Sequence, residues 1–427
     1  MPPSIRSAGR HGAAGRAAFS LTELLIAMTI AMMVMGAVAS LFGVFGRMVS
    51  QSQGLVDLGS RMRATAWQLR QDLAGVTADL VPWARPEANA GYFELLEGPR
   101  RDTDAGAGST NLEADTDDIL LFTTRAVGEP FVGRFNAGTI ESDCAEVAWF
   151  LRSGSSQPVA GTTLYNLYRR QLLVMGYVGQ APFFDGSTAT SVPVGSLVAG
   201  SSPLFDLSLR LEGGGAVPNT LADLAKRENR CFLGGSGPVR AAAFPFAVST
   251  DATGRMPANA TLDGTDRVWE DVLLTNVIAF DVRVFDPRAA GGGGSMGGYV
   301  DLGQSGGSPT AITSGAAWPP AGQTALQSAG MQIRNAATNN TLPVATYDTW
   351  SLHYEFNGRD DDGDGTVDDG TDGVDNNGNG VPDDPAEYET SPPYPVPLRG
   401  IEVRIRCYDP TSRQVRQVTV RHSFVKK

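Results

Sequence analysis

The residues best suited to chemistry form an acidic segment at residues 360–389. Side-chain oxygens recur at the first, third, fifth and ninth positions of its first run, in Asp360, Asp362, Asp364 and Asp368. Gly365 permits a sharp turn at the sixth position, and the carbonyl group of Thr366 at the seventh can add a ligand. Because alternate carboxylates can surround a hard cation, this spacing predicts a calcium-binding loop.

A second run repeats this spacing with fewer charges. Its oxygen-bearing residues are Asp375, Asn377, Asn379 and Asp383. In the first run Thr371 replaces the bidentate glutamate of an EF-hand, so Asp372 or a group of the second run would complete the coordination. Both runs resemble the calcium repeats of thrombospondin type 3, and this resemblance implies two cation sites. The lower charge of the second run predicts weaker binding there. The open alternative is a solvated acidic linker that binds nothing.

The sequence gives no sign of an enzyme active site. Its three histidines are His11, His353 and His422, and the last two lie in strand-like patterns where a structural role is the simpler interpretation. No phosphate-binding loop or zinc-protease motif occurs in the sequence. We therefore expect a protein that is not an enzyme.

The cysteines are also uninformative about catalysis. Cys144, Cys231 and Cys407 are widely spaced and form no CxxC pair, which argues against a zinc site and a thioredoxin-like motif. They allow one disulfide at most, and buried free thiols are the alternative.

The charge distribution argues against a nucleic-acid partner. The formal net charge is -12, and the acidic segment alone contributes twelve carboxylates without a lysine or arginine. No cluster of basic residues is present that would gain from counterion release on DNA or RNA.

The N-terminal region has the composition of a membrane anchor. Arg6, Arg10 and Arg16 precede an apolar run over residues 19–46, in which Glu23 is the only charged residue. At about 1.5 Å rise per residue, a helix of this length spans a hydrocarbon core of about 30 Å. The preceding positive charges predict a cytoplasmic N-terminus in the inner membrane and a periplasmic or extracellular body.

Glu23 needs a compensating partner, because a carboxylate in an apolar helix costs about 2.5 to 3.5 kcal/mol. Cleavage before Phe19 would create an α-amino group four residues upstream. That amine, on the same chain or on a neighbour, would neutralise the carboxylate.

The sequence from Ala18 to Ala27, AFSLTELLIA, resembles the class III signal of type IV prepilins and type II secretion pseudopilins. The resemblance implies cleavage by prepilin peptidase after a leader at residues 1–18, methylation of Phe19, and assembly with other pilins or pseudopilins through the helix. Ala18 stands where that family usually has glycine. An ordinary signal anchor is the alternative for this segment. A membrane-tethered, calcium-dependent binding module or adhesin is the alternative for the whole chain.

The helix is predicted to continue beyond the membrane over residues 47–82. Apolar residues recur every three or four positions, at Leu55, Leu58, Met62, Ala66, Leu69, Leu73, Val76 and Leu80. Asp72 lies off this stripe, and the helix is expected to run to about Leu80, because Pro82 removes a backbone donor.

The body at residues 83–427 is predicted to be rich in β-strands. Alternating or strand-like patterns occur at 118–125, 146–152, 163–173, 278–284, 350–356, 401–407 and 414–425. An antiparallel sheet with its apolar face on the helix predicts an α+β, pilin-like fold. The order of the strands resembles the J-type minor pseudopilin of type II secretion. Long insertions are expected near 185–265 and 288–345, the second a glycine-rich loop that is mobile at Gly291–Gly298.

Overall fold

A computed structural model defines the fold of most of the chain. It describes residues 20–80, 88–97, 112–154, 162–184, 186–187, 190–199, 202–225, 229–230, 270–290, 296–303, 326, 331–335, 340–349, 365–367, 369–370, 372–383, 387 and 397–425. The chain divides into two compact units, Met1–Val56 and Asp57–Lys427.

Helix α1 covers Leu21–Ala74 and is 54 residues long. It ends six residues before the predicted end at Leu80, because the backbone that follows forms hydrogen bonds with the sheet. The amide of Arg125 donates to the carbonyl of Gly75 at 2.7 Å, and the amide of Thr77 donates to the carbonyl of Thr123 at 3.0 Å. These bonds replace the helical hydrogen bonds, so the proline is not what ends the helix.

Seventeen β-strands follow in the described part of the chain. They are β1 (Phe93–Glu97), β2 (Ile119–Arg125), β3 (Phe131–Phe135), β4 (Gly138–Ser142), β5 (Cys144–Ser153), β6 (Tyr165–Leu173), β7 (Val192–Pro193), β8 (Val198–Ala199), β9 (Ser202–Pro203), β10 (Leu209–Glu212), β11 (Gly215–Pro218), β12 (Glu270–Ala290), β13 (Met296–Val300), β14 (Met331–Asn335), β15 (Asn340–Asp348), β16 (Gly400–Asp409) and β17 (Gln414–Ser423). Two 3-10 helices occur at Val194–Ser196 and Asp223–Ala225.

The principal sheet has ten strands in the order β14-β15-β1-β2-β5-β6-β12-β16-β17, and β13 pairs with β12. Every pairing in it is antiparallel. Three smaller sheets join β10-β11-β7, β3-β4 and β8-β9. One long helix and a large antiparallel sheet confirm the α+β class.

The core of the larger unit forms between the sheet and residues 57–74 of α1. Met62, Ala66, Leu69 and Leu73 are buried in one apolar cluster with Trp149, Phe280 and other sheet residues. This part of the predicted apolar stripe is confirmed. Because these side chains recur every three or four residues, one helix face can cover the sheet while the opposite face remains exposed.

Six of the predicted strand patterns are confirmed as β2, β5, β6, β12, β16 and β17. The hairpin of β16 and β17 closes at Asp409, whose carboxylate accepts hydrogen bonds from the amides of Thr411 and Ser412 at 3.0 and 3.3 Å. The pattern at 350–356 lies outside the described residues.

The predicted glycine-rich loop at 288–345 contains strands, which corrects that prediction in part. Met296–Val300 pairs with the end of β12, so residues 296–298 of the predicted mobile stretch are sheet rather than loop. Gly297 has a φ of 92°, and a Cβ atom there would lie 2.9 Å from the ring of Phe285. The positive φ and the short contact both favour glycine at position 297, so this glycine has a role within the strand pair.

Candidate functional sites on the helix and in a buried acidic cluster

The N-terminal end of α1 is closed by a capping box between Ser20 and Glu23. The amide and the hydroxyl of Ser20 donate to Oε2 of Glu23 at 3.0 and 3.1 Å. The amide of Glu23 donates in return to the Ser20 hydroxyl at 3.2 Å. This reciprocal S-x-x-E arrangement satisfies two backbone donors that have no partner within the helix.

The segment after the cap is a candidate membrane span by its length and composition, and its most apolar stretch has no buried residue. Leu21 is 79% exposed and Met33 is 76% exposed. The hydroxyl of Thr29 donates to the carbonyl of Leu25 at 2.6 Å, which satisfies a polar group inside the apolar run. Ala18 and Phe19 lie outside the described residues.

Asp72 attaches the C-terminal end of α1 to the sheet. Arg169 on β6 binds its carboxylate through two nitrogens, at 2.7 and 2.8 Å, and the indole of Trp149 donates to it at 3.0 Å. The prediction that placed Asp72 away from the buried stripe is wrong, since its side chain is 1% exposed. A bidentate arginine and an indole offset the cost of burying this charge.

In the acidic segment, the described carboxylates bind nearby backbone amides. Asp375 accepts bonds from the amides of Asn379 and Gly380 at 2.9 and 2.6 Å. Asp383 accepts the amide of Gly373 at 2.8 Å, and Glu387, which was not predicted as a ligand, accepts the amide of Asn377 at 3.0 Å.

Of the remaining predicted calcium ligands, the structure describes some and leaves others outside the described residues. Asp372 accepts the amide of Val374 at 2.7 Å, while the side-chain oxygens of Asn377 and Asn379 accept the amides two residues later. Thr366 is described, whereas Asp360, Asp362, Asp364 and Asp368 lie outside the described residues. The structure therefore describes the second run of the predicted calcium segment and only a small part of the first.

A different group of carboxylates is concentrated inside the sheet domain. Glu97, Asp115 and Asp118 each offer an oxygen atom within 4.8 Å of the others, and their exposed fractions are between 0 and 1%. This buried acidic cluster was not predicted from the sequence. Within the described residues it is the one group of three or more metal-ligating side chains with this proximity.

Three chain segments position the buried acidic cluster. Glu97 ends β1, whose preceding residue Leu96 pairs with Ile119 at the start of β2. The extended segment before β2 carries Asp115 and Asp118 and runs beside β12. The carbonyl of Asp115 accepts the amide of Phe280 at 2.9 Å, and Oδ2 of Asp118 accepts the amide of Val282 at 2.6 Å.

The cluster contains unsatisfied acceptors. Neither carboxylate oxygen of Asp115 accepts a hydrogen bond from the described residues, and Oδ1 of Asp118 also accepts none. Buried acceptors without a donor are costly, and most native proteins pair them with a protein group, a water molecule or an ion.

Burial raises the pKa of Glu97 and of Asp115 well above the usual range of a carboxyl group, and the charge of Asp118 adds to both shifts. Burial also raises the pKa of Asp118, where Asp117 and Asp281 act in the same direction and the Val282 amide opposes them. These carboxylates therefore require a positive charge or a proton in the folded protein.

An open cleft of about 560 Å³ beside the sheet is lined by Arg125, Glu141, Asp143, Cys144 and Tyr177, among others. Burial raises the pKa of the Cys144 thiol, an effect that Arg125 opposes and Asp143 reinforces. A raised pKa disfavours the thiolate, which is the reactive form of cysteine.

The described cysteines and the described histidine that the sequence offered as candidates for chemistry lie in environments that suit a structural role. Cys144 and Cys407 are free and buried, and burial raises the pKa of Cys407 to about 12. His422 packs edge-on against Phe424, and burial lowers its pKa. Cys231 and His353 lie outside the described residues.

A sequence signal for the buried acidic cluster did exist. Four acidic residues occur at positions 113, 115, 117 and 118, directly before the apolar residues that begin β2, and no lysine or arginine lies between Asp102 and Thr124. Glu97 gave no such signal, because its approach to this segment depends on the pairing of β1 with β2.

Comparison of the chain with protein-family models, with curated proteins and with solved structures found no match.

Proposed function

We propose that this chain is a membrane-anchored structural subunit of the pilin-like, pseudopilin type, which assembles with similar subunits through its N-terminal helix and supports protein export. The observation that carries the proposal is the exposure of the apolar part of α1. Its large apolar side chains, from Leu21 to Val49, are all at least 39% exposed. A surface of this size and composition needs a membrane or other apolar helices around it.

The position of Glu23 supports assembly rather than simple anchoring. Both bonds from Ser20 end on Oε2, which leaves Oε1 as an acceptor for a donor outside the described residues. An anchor needs no carboxylate at this depth, because an apolar residue would insert at lower cost. A carboxylate is useful if it pairs with an α-amino group, and in an assembly that pairing would fix the register of neighbouring helices.

The sheet domain supports a structural role in a different way. Asp72, Arg169 and Trp149 hold residues 57–74 of α1 to the sheet by hydrogen bonds of 2.7 to 3.0 Å. The part of the helix that belongs to the larger unit is thereby built into its core. In the proposed subunit this arrangement ties the sheet domain to the helix through which the subunits assemble.

We also propose that the acidic segment binds calcium as part of this subunit. Asp375 and Asp383 already curve the backbone around their side chains through the amides of Gly380 and Gly373. Oxygen-only side chains at alternate positions suit calcium, which takes six to eight oxygen ligands.

Site-specific photo-crosslinking in cell membranes tests the proposed assembly. A photoreactive residue in place of Met33, which is 76% exposed in the apolar part of α1, should crosslink to other membrane proteins with N-terminal apolar helices. The matched control is Val415, 45% exposed on β17, which should give a different and weaker set of products. Crosslinks from Met33 to lipid alone would contradict assembly through the helix.

A further inference from the structure

We infer that Glu97, Asp115 and Asp118 form a binding site for one divalent cation, with calcium as the occupant, inside the sheet domain. Their oxygen atoms lie within 4.8 Å of one another, which is below the separation of about 5.2 Å that two oxygens sharing one calcium ion at about 2.6 Å can reach. This site is separate in sequence from the acidic segment at 360–389, and the inference does not depend on membrane anchoring.

The unsatisfied oxygens of Asp115 are the independent observation that points to a ligand. Asp115 is fully buried, and both of its carboxylate oxygens lack a hydrogen-bond donor among the described residues. Its backbone carbonyl is already bonded to Phe280, so the segment is fixed while the side chain remains unsatisfied. A cation bound between Asp115, Glu97 and Asp118 would satisfy these oxygens.

The donor atoms decide between classes of metal. All three side chains offer carboxylate oxygen and none offers nitrogen or sulphur, which disfavours zinc and copper. Magnesium usually retains several water molecules, whereas these ligands are at most 1% exposed. Calcium fits better, because it accepts more protein oxygens and a less regular geometry.

The cation would connect three segments that are distant in the sequence. Glu97 belongs to β1, Asp115 and Asp118 precede β2, and the amide of Val282 on β12 bonds Asp118. A shared ion would therefore hold the segment before β2 against both neighbouring strands. The competing arrangement is a proton shared between carboxyl groups, which needs no metal.

The test measures calcium binding by the full chain in detergent. The parent variant carries Asp360→Asn, Asp364→Asn, Asp375→Asn and Asp383→Asn, which removes charge from the acidic segment. After treatment with chelator, equilibrium dialysis against calcium gives the number of ions bound per chain, and thermal unfolding gives the shift in melting temperature. Into this parent are introduced Asp115→Asn and, as a matched control, Asp271→Asn, an exposed aspartate of β12.

The parent and the Asp271→Asn control should each bind one calcium ion per chain and melt a few degrees higher when calcium saturates the site. Asp115→Asn should lose the ion and the shift. If Asp115→Asn does not fold, Asp118→Asn serves instead, because its amide oxygen can still accept the Val282 amide. Proton sharing would be the correct account, and the proposal wrong, if the parent binds no calcium at millimolar concentration. Equal binding by the parent and a folded Asp115→Asn or Asp118→Asn variant would also overturn it.

Discussion

Two carboxylates of the same helix, Glu23 and Asp72, are satisfied in opposite ways. The bonds to Glu23 come from Ser20, three residues away. The bonds to Asp72 include those from Arg169 and Trp149, which are 97 and 77 residues away in the sequence. Asp72 is therefore bound by the fold of its own chain, whereas the bonds to Glu23 from the described residues come from its own helical turn.

This difference separates residues that stabilise the domain from residues that remain available to partners. Asp72 is buried together with the guanidinium group of Arg169, so substitution of Asp72 should affect folding. Glu23 is exposed and locally bonded, so its removal should affect assembly more than folding. The acidic segment resembles Glu23 in this respect, because Asp375 is bonded by amides only four and five residues away.

The largest expected effect on folding comes from Asp72→Ala. It leaves Arg169 buried without its partner, and breaking such a pair typically costs about 3 to 5 kcal/mol. The free energy of unfolding, measured by denaturant titration of the full chain in detergent, should fall by about this amount. Asp57→Ala is the matched control on the same helix, since Asp57 is exposed, and its effect should stay within about 0.5 kcal/mol. Equal effects of the two substitutions would remove the proposed distinction.

A smaller effect is expected from calcium at the acidic segment. Saturation to 100 times the dissociation constant stabilises a protein by about 2.7 kcal/mol when the ion binds only the folded state. The test uses a chain with Asp115→Asn, in which the remaining rise of the melting temperature with calcium is assigned to the acidic segment. Adding Asp360→Asn and Asp364→Asn should remove most of this rise, and adding Asp383→Asn should remove less. If the melting temperature of the Asp115→Asn chain changes with neither calcium nor chelator, the acidic segment is a solvated linker that binds no calcium.

The smallest effect on folding is expected at Glu23, and here two substitutions separate two roles. Glu23→Gln keeps a side chain that can complete the capping box, while Glu23→Leu cannot. If the charge pairs with an α-amino group, both variants should insert in the membrane and both should lose crosslinking from position 33. If Glu23→Gln crosslinks normally and Glu23→Leu does not, Glu23 acts only as a helix cap.

Periodicity was enough to predict the helix and six strands, because burial on one face repeats along each element. The same reasoning failed where tertiary contacts decide. Helix α1 ends at Ala74 because the backbone of Gly75 and Thr77 pairs with the chain around β2. Strand β1 is buried at all five positions and so shows no alternation.

The candidate sites divide in the same way. Glu23 and the acidic segment could be found from local spacing alone, although the capping bond from Ser20 to Glu23 was not predicted. The inward position of Asp72 and the meeting of Glu97 with Asp115 depend on pairings between distant segments. Such pairings join segments that are far apart in the sequence, so local spacing alone does not reveal them.

The most direct test of the proposed subunit is the intact mass of the protein purified from the membranes of its own cells. Maturation of the prepilin type predicts a chain that begins at Phe19, with a methyl group on its α-amine, so that Glu23 has its proposed partner four residues away. An intact chain beginning at Met1, or a mature N-terminus at any other residue, would contradict the pilin-like account.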